Sequence, residues 1–538
     1  MLKYILLFVV AWSLTSCCND VDINAELARQ ALDEYDQPIR PASEGRNPCW
    51  NKFANKFIYA PAFDFPIAEG AANYRYTVKV GDETWSFTAN EPTAPLTKIW
   101  RDVKVGEAEL IVEAMDASGA VIDTVGQRTF RRDFPFCPPY NANVRPYRES
   151  AVMGLLYVHN MDAVQHWKES QEPLMSYSHN TYPAKIISAT IRSELLLAML
   201  VPSYREDALK IAENAAAFLM AQSRKKSDVL AYFPPTYYKD LIVSGKDWNV
   251  GKTMMMEACS AANAYLDLYI TTGKPIYLEY LLGIPETYEK LQREDGSFPV
   301  KVDFVTGEAV NGASAMLHPL ISYLDRLHNT LGVRKFEPLR QRCEKWMEEV
   351  AIERFDMSGQ FEDVTVLGLE PYENLTNCTA APYASYLLLK KGYTDKEFRN
   401  AIDLIRLSED QFTFWNDIPN KDGIRRLPAP CVFEQYKYRT PVDNSAANVA
   451  HAFMSLYEAT GDKLALAKAK ALVDNITVMQ RAGDGHIPTT WDYRKPDHHA
   501  RRTYWINCTF SSVIVLMRME ALLAKIEAEQ EEQEKQEK

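Results

Sequence analysis

Carboxylate and aromatic side chains gather in one stretch of the last third of the chain. Asp417, Glu434 and Asp443 stand there among Trp415 and Tyr436. Hydrolysis of a glycosidic bond needs two carboxyl groups facing one sugar, one acting as acid and the other as base or nucleophile. Aromatic rings present flat apolar faces on which a pyranose can stack. The stretch therefore predicts a sugar site in which Glu434 and Asp443 are the catalytic pair and Tyr436 assists them.

The same residue types also have structural interpretations. Asp443 precedes a predicted helix, and capping a helix is the commoner role for such a residue. Asp484 stands before a glycine and is typical of a turn. His486 replaces Ser297 of an earlier, otherwise matched segment, and this departure favours a functional histidine as much as a structural one. We include His486 among the predicted catalytic residues.

Arginines accumulate in two loops that flank the same pair of predicted helices. They are Arg425, Arg426, Arg439, Arg494, Arg501 and Arg502. Guanidinium groups bind carboxylates through paired hydrogen bonds, so the loops predict an anionic ligand such as a uronic acid or a sulfated sugar. The alternative is a solvated basic surface that forms weak ion pairs. The predicted substrate-binding residues are Trp415, Asp417, Arg425, Arg439, Asp484, Trp491, Arg502 and Trp505.

Metal and nucleotide chemistry are not predicted. The adjacent His498 and His499 lack the spacing of a metal site on a helix, and we predict neither a metal nor another cofactor. Residues 245–253 look like a phosphate loop, but five residues separate Gly245 from Gly251 where that motif has four. A net charge of −12 makes nucleic acid an improbable partner.

Two segments of the chain match each other, residues 258–299 and residues 446–488. In both, an apolar helical pattern stops at Thr-Gly, a second amphipathic pattern runs to a glutamine, and Asp-Gly and a proline follow. Further small-residue helix starts recur at intervals of about 65 residues, which predicts about six helical hairpins. We predict a closed ring with the apolar first helices inside, and a mouth where those helices begin. The segment from Glu149 to Trp167 is expected to be the outer partner of the last inner helix, Cys508–Lys525.

The N-terminus carries the pattern of an export signal. Lys3 precedes an apolar run, and Leu14-Thr15-Ser16-Cys17 resembles the cleavage site of a bacterial lipoprotein. We predict that residues 1–17 are the signal, that Cys17 is lipidated, and that the protein is anchored in the outer membrane of the cell envelope. An ordinary secretory signal is the alternative. Residues 18–46 are interpreted as a polar tether, and we find no later run that is apolar and long enough to span a bilayer.

Alternating polarity from residue 47 to residue 137 predicts a β domain. Short strands with turn residues between them are typical of an immunoglobulin or fibronectin type III sandwich. Cys49 and Cys137 bracket this domain and either form a disulfide or remain thiols. At the other end, residues 526–538 are interpreted as a charged tail, either a solvated helix end or a disordered segment.

An export signal, a small β domain and six hairpins ending in Gln-x-x-Asp-Gly-x-Phe-Pro together resemble the six-hairpin glycosidase-like proteins of glycan-degrading bacteria. The resemblance covers residues 145–525 and implies an all-α (α/α)6 toroid behind the N-terminal all-β sandwich. It implies a carbohydrate-active enzyme, and we expect a glycoside hydrolase acting on an extracellular, uronate-containing glycan. Related toroids include polysaccharide lyases and uronyl epimerases, which would use Tyr, His and Arg. A non-catalytic glycan-binding lipoprotein is a third possibility.

Overall fold

Strands occupy the first part of the chain and helix pairs the remainder. The computed structural model describes residues 23–39, 50, 53–238, 247–355, 357, 375–419, 426–436, 438–491 and 504–536. The predicted signal, Cys17 and Cys49 lie outside these residues. Cys137 is exposed and carries a free thiol, so its pairing with Cys49 stays a prediction.

The elements are numbered in chain order. The helices are α1 (23–35), α2 (Thr97–Trp100), α3 (Tyr147–His159), α4 (Asp162–Gln165), α5 (Pro183–Leu200), α6 (Arg205–Gln222), α7 (Ala258–Thr272), α8 (Pro275–Leu291), α9 (His318–Leu331), α10 (Glu337–Trp346), α11 (Asn377–Leu389), α12 (Asp395–Phe412), α13 (Asp443–Thr460), α14 (Lys463–Met479) and α15 (Ile506–Gln536). The strands are β1 (Lys56–Phe57), β2 (Asn73–Val80), β3 (Glu83–Ala89), β4 (Gly106–Met115), β5 (Val121–Arg132), β6 (Lys252–Met254), β7 (Lys301–Asp303), β8 (Thr413–Phe414), β9 (Ile418–Pro419), β10 (Arg426–Leu427), β11 (Cys431–Gln435) and β12 (Tyr438–Pro441).

The N-terminal strands form one five-stranded sheet in the order β1-β5-β4-β2-β3. Only the β1–β5 pair is parallel. Alternate residues such as Tyr76 and Val78 are buried on one face. That face is covered by aromatic side chains from β1, α2 and the loop after β1: the rings of Phe57 and Trp100 lie 5.5 and 6.1 Å from that of Phe130. The predicted two-sheet sandwich is therefore not confirmed, because in the described part of the domain these aromatics take the place of a second sheet.

The segment predicted as a tether is folded from residue 23 to residue 39. Helix α1 buries Ala31 and Tyr35, and the Tyr35 hydroxyl donates to Glu409 Oε1 in the helical part at 2.6 Å. Glu409 has no exposed surface and also accepts hydrogen bonds from Tyr59 (2.8 Å) and Lys468 (3.0 Å). A buried carboxylate needs such partners to stay charged. One acid thus fastens α1 and the β domain to the ring.

Six inner helices form a closed ring. The inner helices α5, α7, α9, α11, α13 and α15 each pack on the next, and α15 packs on α5. The outer helices α6, α8, α10, α12 and α14 each pack on the inner helix that precedes them, and α3 packs on α15. The ring and its closure by the segment after residue 145 are therefore as predicted. Helix α15 continues to Gln536, so residues 526–536 of the predicted charged tail are a solvated helix end.

The repeated Asp-Gly turn packs against the outer helix of the following hairpin. At Gly296 φ is +85°, and a Cβ there would lie 2.9 Å from the carbonyl oxygen of Arg342 in α10. At Gly485 φ is +80°, and a Cβ would lie 2.5 Å from the carbonyl oxygen of Met153 in α3. Only glycine accepts both the positive φ and the close approach. Helix α3 therefore stands to the last repeat as α10 stands to the earlier one, although α3 comes first in the chain.

The structure also bears on the sequence predictions about membrane spans and about the phosphate loop. Among the described residues, α15 is long and apolar enough by length and composition to cross a membrane, which corrects the expectation that no later run is. It is an inner helix of the ring, and 56% of its most apolar window is buried there. In the rejected phosphate-loop segment, Lys252 and Thr253 lie in strand β6, whereas that motif places them at the start of a helix.

We predict that replacing Gly485 with alanine destabilises the ring. The added Cβ meets the Met153 carbonyl and the backbone must keep a positive φ, so the free energy of unfolding should fall by about 1–3 kcal/mol. Gly483 is the control, because a Cβ there meets nothing within 4 Å. Gly483→Ala should change the stability by less than about 1 kcal/mol in urea unfolding. Equal losses of stability in the two variants would show that the close contact of Gly485 with α3 does not stabilise the closed ring.

Candidate active site

A cavity of about 500 Å³ opens where the inner helices begin. Every inner helix contributes a residue from its first turn or from the position just before it. These residues are Lys185 (α5), Glu257 (α7), His318 (α9), Cys378 (α11), Asn444 (α13) and Cys508 (α15). Helix N-termini carry partial positive charge and unpaired backbone N–H groups. Their convergence makes this mouth favourable for an anionic group.

Two acids line the cavity in the part of the chain that the structure describes, Glu257 and Glu434. Glu257 directly precedes α7, which packs between α5 and α9. Glu434 lies in β11, which packs on α11 and α13. In a ring of six, α7 and α13 are three positions apart. The two carboxylates therefore belong to opposite sides of the cavity.

Glu434 is placed by a strand whose backbone is tied to the start of α11. The hydroxyl of Thr376 donates to the carbonyl oxygen of Glu434 at 2.7 Å, and the amide of Asn377 donates to the same oxygen at 3.2 Å. The register of β11 against β12 shifts at this point, so that Glu434 opposes two residues of β12. Such an irregularity re-aims a side chain and is common beside active sites. The Glu434 side chain lines the cavity.

A cation and two stacked rings lie beside Glu257. The ammonium of Lys185 is 3.8 Å from a carboxylate oxygen of Glu257. The same ammonium lies 5.8 Å from the ring centre of Tyr182 and 5.7 Å from that of Trp505. The two rings stack on each other at 5.5 Å with 23° between their planes. Trp505 is thus on the cavity wall, where the substrate-binding prediction needs it.

Three further side chains of the wall, His318, Cys378 and Cys508, have pKa values shifted toward their neutral forms. Burial lowers the pKa of His318 to about 4, and its Nδ1 has no hydrogen-bond partner within the described residues. Burial, with the charge of Glu434 adding to it, raises the pKa of Cys378 to about 12. The pKa of Cys508 is raised well above its ordinary value for the same reason. These thiols are therefore not nucleophiles, since the reactive form is the thiolate.

Asp443 is not the partner of Glu434 in the cavity. It has no exposed surface, and its two oxygens accept hydrogen bonds from the backbone N–H of Asn444 (2.7 Å) and the hydroxyl of Ser512 (3.1 Å). Burial raises the pKa of Asp443 well above its usual range. The side chain joins the starts of α13 and α15 instead of meeting a ligand. It is the first residue of its helix, and the N-cap position is held by Val442.

Tyr436 and His486 are also buried away from the cavity lining. The Tyr436 hydroxyl donates to Gln411 Oε1 at 2.8 Å. The His486 ring has no exposed surface and stacks on Tyr157, with ring centres 4.5 Å apart and planes 4° apart. The prediction that these residues face one cavity with Glu434 is therefore wrong, because their rings fill the packing between helices and loops.

Most of the predicted sugar-stacking and turn residues are structural. Trp415 is buried between the β domain and the ring, where its Nε1 donates to Glu409 Oε1 at 3.0 Å. Trp491 has no exposed surface. Asp417 accepts a hydrogen bond from the backbone N–H of Ala429 at 3.1 Å. None of the three lines the cavity.

Asp484 is a turn residue, which was the alternative interpretation. Its Oδ1 accepts the backbone N–H of His486 at 3.1 Å, as Asp295 accepts that of Ser297 at 2.9 Å in the earlier repeat. Asp484 also pairs with Arg481 on the surface.

The predicted arginine cluster falls mostly on residues that the structure does not describe. Arg425, Arg494, Arg501 and Arg502 lie outside the described residues, together with His498 and His499. Arg426 and Arg439 belong to strands β10 and β12. Their part in binding an anionic ligand stays a prediction. Elsewhere in the described chain, no group of three His, Cys, Asp or Glu side chains could hold a metal ion.

The site residues that sequence reasoning missed are those immediately before or within the first turn of an inner helix. Glu257, Lys185 and His318 all occupy such positions. Two signals pointed to them: the recurrence of small-residue helix starts, and the inference that these starts share one mouth. The catalytic prediction instead followed the many aromatic and acidic residues of the stretch 415–443.

Comparisons with known proteins find similarity to solved structures alone. No family model matches the sequence, and no curated protein matches it significantly. Solved structures similar to the chain include a family 76 glycoside hydrolase from a bovine Bacteroides thetaiotaomicron strain (10% identity, TM-score 0.43, 84% of this chain and 93% of that chain). A cellobiose 2-epimerase from Spirochaeta thermophila (10%, 0.49, 70% and 98%) and an unsaturated glucuronyl hydrolase specific for heparin (11%, 0.44, 70% and 97%) are similar too. These names are those of enzymes that act on carbohydrates.

Proposed function

We propose that the chain is a carbohydrate-active enzyme, a glycoside hydrolase whose catalytic carboxylates are Glu257 and Glu434. The observation that carries the proposal is the placement of these two acids on opposite sides of one cavity. Two carboxyl groups across a sugar are what glycosidic hydrolysis requires. The protonated thiols of Cys378 and Cys508 supply no competing nucleophile. Glu257 thus takes the place of Asp443 in the predicted pair, and the proposed reaction is still glycosidic hydrolysis.

Surroundings separate the roles of the two acids. Lys185, 3.8 Å from Glu257, favours the ionised carboxylate there. A carboxylate is the form that a nucleophile or a general base needs. Glu434 faces the cavity beside the protonated thiol of Cys378 and serves as the acid that protonates the leaving oxygen. Trp505 and Tyr182 offer the sugar a stacked aromatic surface next to Glu257.

The substrate proposed for this cavity is a uronate-containing glycan. Six helix N-termini and the Lys185 ammonium face the same space, and both attract a carboxylate. A uronic acid brings that carboxylate on the sugar ring itself. The charge of the mouth supports the proposal without the undescribed arginines, which would add to it.

A second candidate reaction is proton transfer at a uronate, as in a lyase or an epimerase. The observation that favours it is His318, because an imidazole held neutral on the cavity wall can accept a proton. Its low pKa makes it a weak base near pH 7, so the carboxylate pair is the stronger proposal.

We further propose that the protein is exported and anchored to the outer membrane through a lipid on Cys17. This proposal is supported by the apolar run after Lys3 and by Leu14-Thr15-Ser16-Cys17. A single diacylated cysteine is an anchor and not a span. The enzyme would then meet its polysaccharide outside the cytoplasm.

We predict that Glu434→Gln and Glu257→Gln each lower kcat by about 10²–10⁴-fold while the fold is kept, because each amide preserves shape and removes an acid or a base. The assay measures new reducing ends and the ultraviolet absorbance of unsaturated uronates on acidic oligosaccharides. Glu149→Gln, on the exposed side of α3, is the control and should be fully active. Absorbance in the wild type that disappears in His318→Gln, with both glutamine variants active, would establish the lyase instead.

We predict that Lys185 sets the preference for charged sugars. Lys185→Met should reduce binding of a uronate oligosaccharide by about tenfold and leave its carboxyl-reduced counterpart unaffected, since a charge-assisted hydrogen bond of about 1.5–3 kcal/mol is lost only with the acid. Titration calorimetry at matched salt measures both ligands. Lys210→Met on outer helix α6 is the control for loss of one positive charge. A wild type that binds the two ligands equally would contradict the assignment.

We predict that Cys17 and not its neighbour carries the lipid. In a Gram-negative host fed with labelled palmitate, Cys17→Ala should lose the label and leave the membrane fraction, because the anchor depends on that thiol. Cys18→Ala is the matched control and should remain labelled. A labelled Cys17→Ala protein would rule out this signal.

A further inference from the structure

An exposed tryptophan stands in a small apolar patch next to strand β6, which contributes Met254 to the cavity wall. Trp248 is 41% exposed, and Val250 and Val305 are exposed near it. The backbone N–H of Phe304 donates to the carbonyl oxygen of Gly251 at 2.8 Å, which joins the two valine-bearing segments. Exposed apolar groups gathered beside a cavity commonly mark a ligand surface.

The patch is attached rigidly to the cavity wall. Met254 in β6 lines the cavity, and its partner in the β6–β7 pair is Lys301. The buried Lys301 ammonium donates to the side-chain oxygen of Asn249 at 2.7 Å. Asn249 is itself buried and directly follows Trp248. Trp248 therefore projects from an anchored backbone.

The distance from the cavity is suitable for a chain of sugars. Trp248 and Met254 are six residues apart, so their Cα atoms lie no more than about 22 Å from each other. The backbone is not extended, because the ammonium of Lys252 donates back to the carbonyl oxygen of Trp248. A glycan held in a cavity of about 500 Å³ fills it with a few rings, and further rings must leave across the rim.

We propose that Trp248 forms an outer subsite that stacks on a sugar ring of the glycan emerging from the cavity. The inference rests on the proposed function, because it takes the occupant of the patch to be the same glycan. A tryptophan face suits a sugar better than it suits water, and the ring needs no charge on its partner. Binding energy from such a remote ring is available to long substrates alone. The subsite therefore makes the enzyme prefer longer chains.

The test compares chain lengths. Size-fractionated uronate oligosaccharides from partial acid hydrolysis of pectin and alginate are given to wild type, Trp248→Ala and Trp248→Phe. Trp248→Ala should raise KM for hexasaccharides by about tenfold and leave disaccharides unchanged, whereas Trp248→Phe should keep most of the hexasaccharide affinity. Trp85→Ala, on strand β3 of the distant sheet, is the control for loss of a tryptophan and should match the wild type.

The outcomes separate this inference from the proposed function. An equal KM change for both lengths, or none for either, would overturn the subsite while leaving the hydrolase intact. Loss of disaccharide turnover in Trp248→Ala would place the residue in the cavity machinery and would also overturn it. A wild type that turns over no fraction of any length would overturn the uronate hydrolase and the subsite together.

Discussion

The packing of the last helix against the first hairpin is the contact on which the cavity depends. Trp505, Asn507 and Cys508 belong to the start of α15, and they form a cavity wall only while α15 lies between α13 and α5. Helix α3 packs on α15 and on the turn after α14, with one close approach at a glycine in each contact. A Cβ on Gly154 would lie 3.2 Å from both Ile487 and Val513, and Gly485 lies against the α3 backbone. Because interiors are close-packed, such contacts admit little adjustment, so the ends of the ring either meet fully or leave the cavity open.

A buried acid pair ties the N-terminal domain to this ring. Glu409 accepts from Tyr35, Tyr59, Trp415 and Lys468, while Asp410 Oδ1 accepts the backbone N–H groups of Ile58 and Tyr59 at 2.5 and 2.9 Å. Burial raises the pKa of Asp410 to about 6. Removing one partner of such a buried network costs far more than an exposed ion pair contributes. The arrangement specifies one docking position for the β domain against α12 and α14.

The ring and the site differ in how far the sequence could predict them. The ring could be predicted, because the matched repeats and their apolar first helices demand that six hairpins bury their faces on each other. The location of the mouth could be predicted as well, since equivalent helix starts meet at one end. The choice of Trp415 and Tyr436 could not be corrected from sequence, because tyrosine and tryptophan serve equally as sugar platforms and as amphipathic fillers of a buried polar interface. Glu434 and Trp505 were predicted from the same acidic and aromatic loops as the residues that proved structural. Only their position on the cavity wall distinguishes them from those buried neighbours.

Charge decides what the described cavity can do. The convergence of helix N-termini stabilises anions in the mouth, and Glu257 and Glu434 are themselves anions when ionised. Lys185 pairs with the first of them, so an anionic group approaching this side meets an ion pair and not a bare negative charge. The second acid faces a protonated thiol, and the buried carboxyl of Asp443 behind it gains a raised pKa partly from the charge of Glu434. The cavity thus holds two acids of the same type in unlike surroundings, one beside a cation and the other beside a buried carboxyl. Unlike surroundings are what the proposed separate roles of base and acid require of two identical side chains.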